Sequence, residues 1–280
     1  MDCLVVDCNF LAHRAKHTTS IMSYNGRYTG VIYGFLNQLH KIADLFQPDQ
    51  YVLAWDSKFS VRKETFPDYK KKPHKELSEE EKELEAESFR QFDMLRPITH
   101  NMGFTNNFVQ KGIEADDIIA DVVMNNDGYN FIVVTADEDL FQLLDYCDIY
   151  KPTKEVTLTA EDFREEYGIE PHQWSEVKKI GGCTADKIPG VPGVGEKTAI
   201  KFLKNELGEH TKAYESIMNN DALLERNKIL VELPHPKTQS VELSPNFTFN
   251  YHQFLKICRH FGFMSFRRNI RDWADIFQGS

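Results

Sequence analysis

Four short apolar runs, at residues 4–6, 51–55, 104–109 and 131–135, alternate along the first half of the chain with segments of helical spacing. The runs are apolar on both faces. That pattern belongs to parallel strands covered by helices on either side. Between them, residues 31–46 place Val31, Phe35, Leu39, Ile42, Leu45 and Phe46 near helical spacing. Residues 115–125 do the same with Ala115, Ile118, Ile119, Val122 and Val123, and a further helix is expected from Asp139. The fold class predicted is α/β, with a mostly parallel central sheet.

Each run is followed by acid. Asp7 ends the first and Asp56 the second; Glu114, Asp116 and Asp117 follow the third, and Asp137 and Asp139 the fourth. The carboxyl ends of parallel strands share one side of the sheet, where ligands bind, so these acids are expected to converge. Converging carboxylates repel one another and call for cations, of which the hard ions Mg²⁺ and Mn²⁺ suit carboxylate and water ligands. Two such ions about 4 Å apart can promote in-line displacement at phosphorus. For any one acid, capping a helix explains it equally well. Acid at all four strand ends favours metal. Glu138 is expected to be solvated.

The connection at residues 57–101 is unusually long. It opens with Arg62, Lys63, Tyr69, Lys70, Lys71 and Lys72, then reaches Ser78 and Glu81, which are spaced for a capping box. An aromatic beside lysines suits a single nucleic-acid strand, although lysine runs are more often solvated faces. Arg14 and Lys16, just past Asp7, fit phosphate contacts or plain surface equally. After residue 150 the pattern turns helical, with short helices expected at 159–167 and 173–180. Gly190, Val191, Pro192, Gly193, Val194 and Gly195 then precede a helix expected at 196–207 that carries Lys197. Glycines let backbone N–H groups face an anion, and a helix-hairpin-helix of this kind grips a DNA backbone without reading bases. A plain interhelical turn is the alternative. Residues 211–280 suggest two more helices and no chemistry.

Composition narrows the function classes. With 280 residues, 41% hydrophobic and 27% charged, the chain is not a disordered one, and its length fits one large domain or a domain with an appendage. No apolar run approaches the roughly 20 residues of a membrane span, and no secretory pattern opens the chain. The five cysteines form no CxxC pair, which points away from disulfides or a zinc knuckle and toward a reducing, cytoplasmic setting. A net charge of −10 disfavours coating nucleic acid by bulk charge, so any such contact rests on the local basic windows.

Taken in order, the motifs are Val6 and Asp7 with Asn9 and Arg14; Trp55 and Asp56; Tyr69 and Lys70; Glu114, Ala115, Asp116 and Asp117; Thr135 to Asp139; and Asp186 to Gly190. Across residues 1–207 they resemble the 5′-3′ exonuclease and flap endonuclease family, most of all its bacteriophage members. The resemblance implies a PIN-like nuclease unit at residues 1–158, with an arch at about 57–101 that a free 5′ strand threads. A helical helix-hairpin-helix region would follow at 159–280. It implies metal ligation, by two Mg²⁺ with Mn²⁺ able to substitute, at Asp7, Asp56, Glu114, Asp116, Asp117, Asp137, Asp139 and Asp186. It implies catalytic roles for Lys70 and Arg14. DNA contacts would come from Tyr69, Lys71, Lys72, Arg62, Lys63, Lys16, Gly190, Gly193, Gly195 and Lys197, with K⁺ at the hairpin. The expected activity is cleavage of branched or 5′-ended DNA, or of an RNA primer paired to DNA, during replication in the cytoplasm, for a phage-encoded protein in that of the host. Two positions depart from the family pattern. Cys183 stands where an Asp is usual, and a thiol is a poor Mg²⁺ ligand; Pro73 stands where an Arg is frequent. Cys183 keeps open a second reading, a DNA-structure binder with weakened catalysis. A ribonuclease of the wider PIN-like group is a third, against which the hairpin argues.

Overall fold

The computed structural model describes residues 1–71 and 76–278. Lys72 and Pro73, named above, lie outside the described residues. β1 (Asp2–Asp7) enters α1 (Cys8–Thr19), followed by a small hairpin of β2 (Ser23–Tyr24) and β3 (Arg27–Tyr28) and by α2 (Gly30–Phe46). β4 (Gln50–Ala54) leads into the long connection, which holds one turn of helix, α3 (Arg62–Thr65), and the 23-residue α4 (Glu79–Asn101). β5 (Asn107–Phe108), α5 (Ala115–Asn125), β6 (Asn130–Val134), β7 (Cys147–Lys151) and β8 (Val156–Leu158) complete the sheet. Next come α6 (Ala160–Tyr167) and α7 (Trp174–Gly181), the short pair β9 (Gly182–Cys183) and β10 (Ile188–Pro189), then α8 (Glu196–Leu203), α9 (Lys212–Met218) and α10 (Asp221–Val231). α11 (Tyr251–His260), α12 (Met264–Arg268) and α13 (Ile270–Gln278) close the described chain.

The six-stranded sheet runs β5-β4-β1-β6-β7-β8, parallel throughout except where β8 turns back on β7. β1 is central: Asp7 pairs with Ala54 of β4, and Val6 with Val134 of β6. This register sets the carboxyl ends of the three strands side by side. The period of two along β1 divides the core. Leu4 and Val6 pack with Leu11, Phe35 and Leu36 on one face, whereas Cys3 and Val5 pack with Ile118, Ile119 and Phe141 on the other. α2 buries Val31, Phe35, Leu39 and Ile42, as its spacing predicts. Phe254, Trp273 and Phe277 from the C-terminal helices join the α1–α2 face of the core.

Local sequence explains several boundaries. Ser78 Oγ accepts from the Glu81 N–H at 3.2 Å while Glu81 Oε2 accepts from the Ser78 N–H at 2.8 Å, the reciprocal capping box that starts α4. From the same helix, Gln91 Oε1 accepts from the Val31 and Ile32 N–H groups at 3.0 and 3.2 Å and satisfies the open end of α2. Gly190 is required by close approach, since a Cβ there would lie 2.3 Å from the Gly181 carbonyl. Gly193 takes the left-handed region at φ +77.

Five expectations change. The third apolar run forms only the two-residue β5, joined to β4 by the Leu53 N–H to the Asn106 carbonyl and the Trp55 N–H to the Phe108 carbonyl, while Phe104 enters the core. The helix expected from Asp139 is a 3-10 helix, Glu138–Leu143. β7 and β8 extend the sheet beyond the four runs; in β7, Cys147, Ile149 and Tyr150 are buried while Asp148 is exposed. The helix expected at 196–207 ends at Leu203, and residues 211–280 hold α9 to α13 rather than two helices. Among the described residues, no helix is long and apolar enough to cross a membrane.

Candidate active site

The three central strands deliver Asp7, Asp56 and Asp137 to one edge of the sheet, and the start of α5 adds Glu114 and Asp116. Capping is real here and does not exhaust the acids. Asp7 Oδ1 accepts from the Phe10 N–H at 2.9 Å at the start of α1. Asp137 Oδ1 accepts from the Asp139 N–H at 2.9 Å, and Asp56 Oδ1 from the Ala115 N–H at 2.8 Å. Asp7 Oδ2 also accepts from the Thr135 hydroxyl at 3.2 Å, and the charges still meet. Burial, then repulsion from Asp56 and Asp137, pushes Asp7 up to about 7 despite the bonds from Phe10 and Thr135. Burial, then Asp137, Asp7 and Asp56, pushes Asp116 well above the usual carboxylate range. Loss of hydration raises Asp56 as well, against the helix-start bond and Lys70. Asp7 is buried at the floor of the crevice, whereas Asp56 and Asp137 are exposed at its rim.

A second group adjoins the first. Asp139, Cys183 and Asp186 each offer one donor atom, all within 4.8 Å of one another. Burial and then Asp137 raise Asp139, partly offset by Lys178. Burial pushes Asp186 up to about 6, with Asp139 and Asp137 adding and Lys70 opposing. Acids forced up by their neighbours are what a divalent cation relieves. Asp7, Asp56, Asp116 and Asp137 offer oxygen donors of the kind Mg²⁺ and Mn²⁺ take, while among the described residues the group whose donor atoms lie within 4.8 Å of one another is Asp139, Cys183 and Asp186.

Glu114 is held differently. Its Oε2 accepts from Tyr69 OH and from Lys70 Nζ, both at 2.9 Å, and Arg62 Nη1 stands 3.8 Å away. Burial would raise Glu114, yet Lys70 and Arg62 outweigh it and hold the carboxyl below its usual range. Lys70 sits at φ +49, and its N–H donates to the Asp186 carbonyl at 2.9 Å, which fastens the long connection to the β9–β10 turn. Its side chain is 37% exposed, and its ammonium lies 2.9 Å from Glu114 and 3.9 Å from Asp186.

Five predicted site residues sit otherwise than expected. Tyr69 is 2% exposed and packs with Cys183, Ile188 and Leu230; its ring presents no stacking surface, and its hydroxyl donates to Glu114 and Asp186. Arg62 is not a surface DNA contact. It is 1% exposed, and Nη1 and Nη2 donate to the two Asp117 oxygens at 2.6 and 2.7 Å, with Nε to the Leu230 carbonyl at 2.9 Å. Asp117, fully buried, is therefore that guanidinium's counter-ion; it also accepts from the His235 N–H at 2.8 Å. Lys16 pairs with Glu85 at 2.9 Å and joins α1 to α4. Arg14 donates to Gln38 Oε1 at 2.7 Å and to the Pro152 carbonyl at 3.3 Å.

The remaining basic candidates face solvent. Lys63 and Lys197 are exposed, and Lys71 is exposed with an ion pair to Asp68 at 2.8 Å. Gly190, Gly193 and Gly195 shape the hairpin between α7 and α8, with Gly195 at the start of α8. Sequence reasoning missed Lys178. It lies one turn past Trp174 on α7, with Nζ 3.5 Å from Asp139 and 3.7 Å from Glu196. No pattern marks it, because only the packing of α7 beside the 3-10 helix brings it to the acids.

Comparison with known proteins bears on the family and the fold. The profile described as 5′-3′ exonuclease, N-terminal resolvase-like domain matches residues 2–168. DNA polymerase I of Mycobacterium leprae is 32% identical over 251 residues, 82% of this chain and 27% of that protein. DNA polymerase I of Bacillus subtilis is 34% identical over 226 residues, 76% of this chain and 24% of that protein. The chain thus spans about a quarter of the length of these curated relatives. Among solved structures, T5 5′-exonuclease with divalent zinc ions bound superposes with a TM-score of 0.68 at 23% identity, covering 84% of this chain and 90% of that one. Flap endonuclease-1 from Methanococcus jannaschii gives a TM-score of 0.59 at 12% identity, covering 99% and 92%. These likenesses show a shared PIN-like fold. On the matched profile and the motif residues it spans, the chain belongs to the 5′-3′ exonuclease N-terminal, resolvase-like domain family.

Proposed function

We propose that this chain is a divalent-metal-dependent 5′ nuclease that hydrolyses phosphodiesters at or near a 5′ end or flap junction. The observation that carries the reading is the meeting of acids from three adjacent strand ends and the start of α5, where Asp56 and Asp137 raise the proton affinity of Asp7, and Asp137, Asp7 and Asp56 that of Asp116. Asp7, Asp56, Asp116 and Asp137 would hold one ion, and Asp139, Cys183 and Asp186 a second; Mg²⁺ is the ion the first set suits, with Mn²⁺ able to replace it. Bound divalent ions supply Lewis acidity and charge neutralisation at the scissile phosphate.

The chain's own residues do the rest. The Lys70 ammonium swings from Glu114 to meet negative charge developing on the phosphate. Tyr69 and Arg62 keep Glu114 oriented while Lys70 moves. Lys63, Lys71 and Lys197, all exposed, would meet backbone phosphates. The hairpin at Gly190, Gly193 and Gly195 would hold duplex through N–H groups, with K⁺ as its ion. We take residues 1–158 as the nuclease unit, with its arch at 57–101, and 159–280 as the region that grips duplex. Substrates would be branched or 5′-ended DNA, or RNA primers paired to DNA, met in the cytoplasm during replication, for a phage-encoded protein in that of the host.

The test is cleavage of a labelled 5′-flap duplex in Mg²⁺ or Mn²⁺. Asp137→Asn should lower the rate at least about a hundredfold, the several kcal/mol expected of metal catalysis, while flap binding stays near wild type. Undiminished cleavage by that variant would remove the site assignment. Binding without cleavage by the wild-type chain in either metal would favour the DNA-structure binder.

A further inference from the structure

We propose that the position formed by Asp139, Cys183 and Asp186 is a mixed thiolate–carboxylate site that takes a thiophilic divalent cation of the zinc or cadmium class in preference to Mg²⁺. This deepens the nuclease reading and rests on it for the site's purpose, though not for its chemistry.

The thiol is built into the site. Cys183 lies in β9 opposite Ile188 of β10, Asp186 occupies the turn between them, and their donor atoms lie within 4.8 Å of one another. Lys70 N–H to the Asp186 carbonyl and Tyr69 OH to Asp186 Oδ2 at 3.3 Å pin that turn. Cys183 is 8% exposed, and its Sγ is 3.7 Å from Asp139 Oδ2. The thiol thus points at a carboxylate of a different element, with Asp186 completing the triangle within 4.8 Å.

Ligand softness then decides the ion. Thiolate selects zinc-like metals, whereas all-oxygen sets suit Mg²⁺ and Mn²⁺. Three protein donors leave a fourth tetrahedral position open, as in catalytic rather than structural zinc sites. The neighbouring set at Asp7, Asp56, Asp116 and Asp137 contains no sulfur donor. The two positions are therefore chemically unequal, one hard and one soft. Lys178 is the local competitor, 3.5 Å from Asp139, and it has a second partner in Glu196 at 3.7 Å to which it can retire.

The experiment titrates the metal-stripped full chain with Cd²⁺ and follows the ultraviolet thiolate-to-cadmium charge-transfer band. We expect a saturable band that Zn²⁺ displaces and a large excess of Mg²⁺ does not. Cys183→Ser should abolish it. Cys183→Asp should weaken Cd²⁺ binding, measured by calorimetry, by at least about tenfold, the lower end of what disturbing a metal's surroundings costs, and shift the preference toward Mg²⁺. The other four cysteines are buried and free, so the variants, not the count of thiols, assign the band. No band in wild type at saturating Cd²⁺, a band that survives Cys183→Ser, or a band that Mg²⁺ removes would each overturn the proposal. Flap cleavage is scored separately. A normal band with no cleavage sinks the nuclease reading alone; cleavage without a band sinks this one alone.

Discussion

Tyr69 shows how an aromatic beside lysines can do something other than stack. Its hydroxyl donates to two acids, Glu114 at 2.9 Å and Asp186 at 3.3 Å, and its ring is enclosed. Phenylalanine stacks on a base as well as tyrosine does, so one substitution separates the two roles. Tyr69→Phe should leave single-strand affinity unchanged and cost about 1–3 kcal/mol of stability, since it takes a donor from enclosed carboxylates. Denaturant unfolding beside a fluorescence binding assay reads both. Undiminished stability would show that the hydroxyl does not hold these acids and would leave stacking as the role of the ring. From the chain alone, Tyr69 and Lys70 stand out as candidate site residues; that Tyr69 is enclosed does not, because its burial depends on Ile188 and Leu230, far off in sequence.

Between elements, the Arg62–Asp117 pair joins α3 at the root of the long connection, α5 with its acids, and the segment after α10. Both side chains are enclosed, and the guanidinium also holds the Leu230 carbonyl. Removing one partner leaves an uncompensated buried charge, which costs about 3–5 kcal/mol. Arg62→Met and Asp117→Leu should each fall in that range. The double variant should lose clearly less than their sum, as measured by a chemical-denaturation cycle. Additive losses would show that the pair does not act as a unit. Arg62 was read as a DNA contact because a basic window gives no sign of a partner 55 residues away. Capping signals are local and read more truly: Ser78 with Glu81 starts α4 as its spacing implies, and the structure adds a like box of Thr159 with Asp162 at α6.

At the scale of the whole molecule, the crevice is a concentration of like charge that the fold sustains through packing elsewhere. A divalent ion that binds only the folded chain stabilises it by mass action, about 2.7 kcal/mol at 100 times its dissociation constant. Mg²⁺ or Mn²⁺ should therefore raise the melting temperature by several degrees, and chelator should reverse the rise. Scanning calorimetry with matched ionic strength in NaCl checks this; an equal rise with NaCl alone would mean general screening rather than site binding.

By itself the sequence determined that strands alternate with helices, that β1, β4 and β6 carry acid at their carboxyl ends, and that Gly190 to Gly195 turn the chain. These follow from periodicity, strand direction and backbone freedom, all of which act over a few residues. Only the tertiary structure decided the strand order, the placing of β7 and β8, and the fate of each charge. Asp116 faces other acids while Asp117, its neighbour in the chain, faces Arg62, because successive residues of a helix point about 100° apart and what waits in each direction is supplied by distant segments.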